Sequence, residues 1–128
     1  MADQSESARV TGGCLCGAVR FSIHGPMREV VYCHCAMCRR ASSHWVAYTA
    51  CAPESLQVAE QRKLKWYKSS PGVRRGFCRE CGSQLFWESA RAAHISVSAG
   101  SLDQPTGLRS GKHKHLEYVP DYERQGEP

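Results

Sequence analysis

Short apolar-rich runs separated by turn residues make up most of the chain. In "GAVRFSIHG", Ala18, Phe21 and Ile23 stand among polar positions, the pattern of a strand with one buried face. "EVVYCHC", "HWVAYTA", "LQV", "KLKWYKS", "VRRGFC", "QLFWES" and "HISVSAG" are likewise short, β-branched and aromatic. Pro26, Pro53, "SSPG" and "LDQPTG" supply the breaks between them. No stretch carries a sustained helical stripe. The best helical candidates are a single turn starting near Met37 and another at Pro53-Glu54-Ser55. The pattern predicts an all-β or mainly β domain of short strands with little helix. There is no internal repeat and no low-complexity tract.

At 128 residues the chain has the size of one domain with a modest core. The polar ends set the expected limits: a flexible tail over residues 1–10, a single domain over 11–120 and a second flexible tail over 121–128. The N-terminus "MADQSESARVT" lacks the apolar segment of a secretory signal, and no run approaches membrane-spanning length. The expectation is a cytoplasmic protein without a membrane partner. In a reducing compartment eight cysteines point to metal ligation or reactivity before disulfides.

Those cysteines are clustered. Cys14 and Cys16 lie in "GGCLCGAVRF", Cys33, Cys35 and Cys38 in "CHCAMCRR", and Cys78 and Cys81 in "FCRECGSQLF". A Cys-x-Cys pair on an extended chain sends both sulfurs to one side, because side chains alternate with period two. A Cys-x-x-Cys-Gly turn also aims two thiolates at one ion, and the glycine permits a positive φ beyond the second ligand. Gly82 fits that place after Cys81, and Gly17 follows Cys16 similarly. Cys51 stands alone beside Pro53 and reads as a small core or loop residue.

Two pairs make a closed four-cysteine site, Cys14, Cys16, Cys78 and Cys81, which would clamp an early turn to a late one. The triplet would then hold a second ion through three thiolates with one position vacant, the arrangement of a catalytic zinc. Spacing alone also permits a partition in which two triplet cysteines join Cys78 and Cys81. The formal charge of +5 invites a nucleic-acid partner. Seven thiolates around two Zn²⁺ would leave about +2 of it, since ligation deprotonates the thiols. There is also no helix-turn-helix, no finger spacing and no basic–aromatic interleaving, so nucleic acid is disfavoured.

Together, "GGCLCGAVRF", "CHCAMCRRAS", "FCRECGSQLFW" and "GSLD" resemble the glutathione-dependent formaldehyde-activating enzyme family, which includes a centromere-associated branch. The resemblance implies a zinc-pinned β-tent fold of short antiparallel strands and two zinc ions per chain. One is structural, at Cys14, Cys16, Cys78 and Cys81; the other is labile and catalytic, at Cys33, Cys35 and Cys38. Where the family often carries glycine after the "RRxS" segment, this chain has Ser43 followed by His44.

The expected activity is of carbon–sulfur lyase type: a glutathione-like thiol adds to a formaldehyde-like aldehyde to give an S-hydroxyalkyl thiol, or the reverse. With a reference pKa near 8.5, about 3% of a free thiol is thiolate at neutral pH, and zinc coordination deprotonates a thiol outright. The competing expectation is a non-catalytic, zinc-scaffolded module that carries a thiol or binds a protein or nucleic acid. A pure scaffold, however, needs only the four-cysteine site.

Neighbouring residues carry weaker signals. Arg39 and Arg40 can offset thiolate charge and meet glutathione's carboxylates, or be solvated surface arginines. His34 lies between two ligands, but alternation turns it away from them. His44 reads as a half-buried strand histidine before a proton carrier. "KHKH", Lys112–His115, reads as an exposed basic strand or loop before a metal or anion site. Trp45, Trp66, Phe86 and Trp87 read mostly as core, otherwise as pocket wall.

Overall fold

A computed structural model describes residues 9–125, with side-chain surroundings described to residue 123. It contains ten strands: β1 (Arg9–Gly13), β2 (Arg20–His24), β3 (Val30–Cys33), β4 (Val46–Cys51), β5 (Leu56–Val58), β6 (Leu64–Ser70), β7 (Val73–Cys78), β8 (Gln84–Ser89), β9 (Ile95–Ser98) and β10 (Ser110–Lys114). Two short helices, α1 (Ala36–Ser42) and α2 (Asp121–Gln125), accompany them. The protein is mainly β. One of four short 3-10 turns among the described residues forms at Pro53–Ser55, where the proline opens it.

The strands form two sheets. A small one runs β1-β2-β5, and a seven-stranded one runs β10-β3-β4-β9-β8-β7-β6. Every pairing is antiparallel except that of β10 with β3, which is parallel and departs from the expected antiparallel pattern. Phe21 and Ile23 alternate inward from β2, as their spacing predicts, and pack with Val19, Phe86, Ile95, Val97 and Leu102. This core lies between the sheets, and Phe21 meets Phe86 edge-on at 5.2 Å. Cys51 is part of it, and burial pushes its thiol up to about 11.

The opposite face of the large sheet carries a second, smaller cluster: Cys38, Val46 and Tyr48, flanked by Cys33, Cys35 and Trp87. Alternation along β4 separates the two, with Val46 and Tyr48 on one face and Cys51 on the other.

Three boundaries differ from the sequence expectation. Arg9 and Val10, placed in the first tail, already pair with His24 and Ile23 in β1. The second tail opens as helix α2. The candidate turn at Met37 is a seven-residue helix. The remainder of both tails, residues 1–8 and 126–128, lies outside the described residues. Among the described residues, no helix is long and apolar enough to cross a membrane.

Candidate metal centres

Two loops of the same construction bring the first four cysteines together. Cys14 and Cys16 lie between β1 and β2, and Cys78 and Cys81 between β7 and β8. In one loop the Cys14 N–H donates to the Val19 carbonyl at 3.0 Å; in the other the Cys78 N–H donates to Ser83 at 3.0 Å. Gly17 (φ 84°) and Gly82 (φ 82°) take the left-handed conformation that lets each loop turn back. The Leu15 N–H donates to Ser83 Oγ at 2.9 Å, joining the loops directly.

The four sulfurs lie within 4.8 Å of one another. Cys14 and Cys16 are 3.7 Å apart, and Cys16 and Cys78 3.8 Å. A tetrahedral site with zinc–sulfur bonds of about 2.3 Å sets its sulfurs about 3.8 Å apart, so this donor set fits zinc. Backbone N–H groups already point at the sulfurs: Val19 at Cys14 (3.2 Å), Glu80 at Cys78 (3.3 Å) and Cys81 at Cys78 (3.5 Å). Such donors favour thiolate over thiol. The Ser83 hydroxyl and N–H hold the Cys81 thiol down at about 5. The Ala18 N–H draws Cys16 the same way, but burial and the neighbouring thiols push it up to about 11. A loop of like thiols thus ionises one member first.

The triplet is assembled where β3 runs into α1. Cys33 ends β3 and is fixed in the sheet opposite Val46 and Lys114. Cys35 is the residue before α1, extended at φ −64° and ψ 159°, and its sulfur accepts the Cys38 N–H at 3.3 Å. This is the capping role that a polar atom takes at a helix start. Cys38 sits in the first turn and is buried. The three sulfurs lie within 4.8 Å of one another. Hydrogen bonding with Cys38 pulls the Cys33 thiol down to about 5, while the same contact and burial push Cys38 up. The structure does not bring any triplet cysteine to Cys78 and Cys81.

One side of the triplet opens onto a cavity of about 350 Å³. Its wall includes Arg28, Tyr48, Arg75, His94, Lys114 and His115, with Trp87 and Met37 as apolar lining. None of its lining residues carries a carboxylate. The Arg28 N–H donates to Ala50 at 2.9 Å and its carbonyl accepts from the Thr49 hydroxyl, which secures its backbone against β4. Burial, then Arg28 and Lys114, lowers His94 below its ordinary value, so it is neutral at neutral pH. Burial raises the Tyr48 phenol and keeps it protonated.

His34 does not join the triplet. It is buried, with Nε2 2.8 Å from His113 Nδ1, and edge-on to Trp45 at 4.8 Å. Its Nδ1 lies 3.9 Å from Glu123 of α2. His44 is half-buried just before β4, with Nδ1 3.4 Å from the Tyr122 hydroxyl. Lys112, His113 and Lys114 end the exposed strand β10 and His115 follows it; Lys114 and His115 both line the cavity. Arg39 and Arg40 do not line it; Arg40 lies on a neighbouring groove with Met37. Trp66 packs against the core under Arg74, whereas Trp87 is cavity wall and Trp45 is partly exposed. The sequence reading passed over Arg28, Tyr48, Arg75 and His94. In "VRRGFC" there was a usable signal, because alternation must turn one of two adjacent strand arginines inward.

Fold and donor sets define a two-sheet β protein with two cysteine groups that can hold metal. The chain belongs to the glutathione-dependent formaldehyde-activating enzyme family, whose model matches residues 9–118. It is 32% identical over 77 residues to an uncharacterized lyase of Schizosaccharomyces pombe, a match covering 59% of this chain and 55% of that protein. The chain thus spans about half the length of that curated relative. The crystal structure of a Rhodobacter sphaeroides protein shares the fold, with a TM-score of 0.65 at 21% identity, over 80% of this chain and 98% of that one.

Proposed function

We propose that the chain catalyses the reversible addition of a glutathione-like thiol to a formaldehyde-like aldehyde, with a structural zinc at Cys14, Cys16, Cys78 and Cys81 and a catalytic, labile zinc at Cys33, Cys35 and Cys38. The observation that carries this reading is the triplet's open side, which faces a cavity whose largely apolar wall carries the cations Arg28, Arg75 and Lys114. In the reaction the sulfur bonds to the carbonyl carbon and the thiol proton ends on the former carbonyl oxygen. No electrons are exchanged with a second reagent. A zinc ion held by the triplet would favour the thiolate form of the incoming thiol and polarise the aldehyde.

The chain's own residues supply the rest. Arg28 and Lys114 offer charge-assisted hydrogen bonds to the carboxylates of a peptide-like thiol and so orient its sulfur. The neutral His94 ring accepts the thiol proton and returns it to the new hydroxyl. Tyr48, held protonated by burial, donates to the carbonyl oxygen as charge develops on it. Trp87 and Met37 cover the apolar part of the cavity.

The test is NMR exchange spectroscopy of glutathione with formaldehyde over the zinc-replete protein. Wild type should speed exchange at least about thirtyfold over Cys35→Ser, the ratio of full to 3% thiolate. His94→Gln should fall between them. Equal exchange in wild type and Cys35→Ser would leave the triplet without this chemistry and return the molecule to a zinc-scaffolded module.

A further inference from the structure

Arg75 is a charged residue in the wrong place for a surface arginine. It stands mid-strand on β7, opposite Tyr67 and Trp87, and is only 6% exposed. Its Nη1 donates to the Tyr48 hydroxyl at 3.5 Å and its Nη2 to Cys38 Sγ at 3.9 Å. The ion pairs among the described residues use Arg20, His34, Arg62, Lys63 and Arg74; none gives Arg75 a carboxylate. A guanidinium stays ionised in a protein. Buried and unpaired, it is expensive, and native structures keep such a charge where something negative meets it.

We infer that Arg75 is the positioning residue of the triplet: its charge offsets the net negative charge of three thiolates around a divalent ion, and it acts through Cys38. Three thiolates and one Zn²⁺ leave a single negative charge, which one guanidinium cancels. When a fourth thiolate arrives, Arg75 limits the resulting dianion to one net charge, so the same side chain eases entry of the reacting thiol. Tyr48 fixes the fork from the other side. The sequence interval fits this division of labour: Arg75 and Cys78 are an odd number of residues apart on β7, so one strand serves the triplet on one face and the clamp on the other. Arg75 also forms the wall shared with the groove lined by Met37, Arg40 and Tyr67, so its loss would open the triplet sideways.

The inference rests on the triplet holding zinc and not on which thiol or aldehyde reacts. It is tested by withdrawing zinc from the zinc-replete full chain with a chromophoric chelator and following release in steps. Wild type should release two ions, the looser one absent from Cys35→Ser. Arg75→Met should lose the looser ion at about ten- to a hundredfold lower chelator activity, the range of hydrogen bonds to charged groups. Its clamp ion should be unmoved. Its thermal stability with only the clamp loaded should equal or exceed wild type, because a buried lone charge has been replaced by an apolar chain. Arg75→Lys, which keeps the charge, should stay within a few-fold of wild type. Superimposable release curves for wild type and Arg75→Met would overturn the inference, as would an Arg75→Lys curve that falls as far as Arg75→Met. If Arg75→Met fails to fold, Tyr48→Phe decides: a few-fold weaker looser ion supports the role, and an unchanged one overturns it. Release of a single ion from wild type would instead remove the catalytic site itself.

Discussion

The two cysteine groups lie on opposite faces of one sheet and are built from different local chemistry. The four-cysteine clamp draws on two loops that turn back on themselves, and its sulfurs are met by backbone N–H groups and the Ser83 hydroxyl. Each loop belongs to a different sheet, so an ion held by the four cysteines would tie the small sheet to the large one. The triplet comes from one continuous stretch, β3 into α1, and ties nothing together that the sheet has not already joined. It faces a cavity, and the buried cation Arg75 that meets Cys38 stands in the wall of that cavity. The difference teaches how one donor type serves two ends. Where four sulfurs close around a point and main-chain donors surround them, the arrangement suits a fastener. Where three sulfurs are held and the fourth side opens on a cavity of mostly apolar wall studded with cations, the arrangement suits a ligand.

Substitutions should separate the two. Cys78→Ser removes a fully buried sulfur from the clamp. It should lower the melting temperature by about 10 °C or more, because structural zinc binding is folding free energy. Cys35→Ser should cost one zinc ion by elemental analysis yet melt within about 3 °C of wild type. Equal melting of the two variants would erase the distinction between fastener and site.

A smaller effect sharpens the comparison through backbone conformation. The clamp loops place glycine at their left-handed positions, but the residue that caps the end of α1 is Ser43 at φ 67°. Gly82→Ala meets no atom within 4 Å, so its cost is the left-handed strain alone, about 1–2 kcal/mol in denaturant unfolding. Ser43→Gly should fall within about 1 kcal/mol of wild type on the stabilising side, because relief of strain is offset by a freer unfolded chain. A larger loss from Ser43→Gly than from Gly82→Ala would reverse the assignment of rigidity.

The smallest effect lies in the latch beside the clamp. Asp103, the last residue of "GSLD", accepts from Arg20 at 2.7 Å and from Thr11 at 2.6 Å, joining the small sheet to the segment after β9. Arg20, then Thr11, holds its carboxyl below the ordinary carboxylate range. A carboxylate lowered on folding stabilises above its unfolded pKa, near 3.9, and loses that contribution as pH falls through the folded value. Denaturant midpoints of wild type should therefore drop more between pH 7 and about pH 3 than those of Asp103→Asn. Parallel acid limbs would show that the latch does not favour the folded state.

Much of this was legible before the structure. Alternation located β2, β4, β8 and β9, because each has one face against apolar neighbours, and cysteine spacing marked both groups of donors. β1 was not read as a strand, and β10 only as an exposed basic strand or loop, for a physical reason. "RVTGG" has no apolar period, and "SGKHK" is an exposed edge whose hold comes from main-chain pairing with β3 and the His113–His34 contact. Arg75 escaped because residue type argues for the surface, and only alternation beside Arg74 argues against it. The cavity's three cations and its neutral imidazole come from four separate segments, β7, β10 and the two connections that carry Arg28 and His94, and no local pattern announces their meeting.

The central claim is that the triplet holds an ion with one corner left to a substrate. Soaking glutathione into crystals of the zinc-replete protein tests it most directly. The account predicts that the thiol sulfur completes the coordination begun by Cys33, Cys35 and Cys38. A protein side chain such as His34 or His115 in that fourth place, with glutathione excluded, would contradict it.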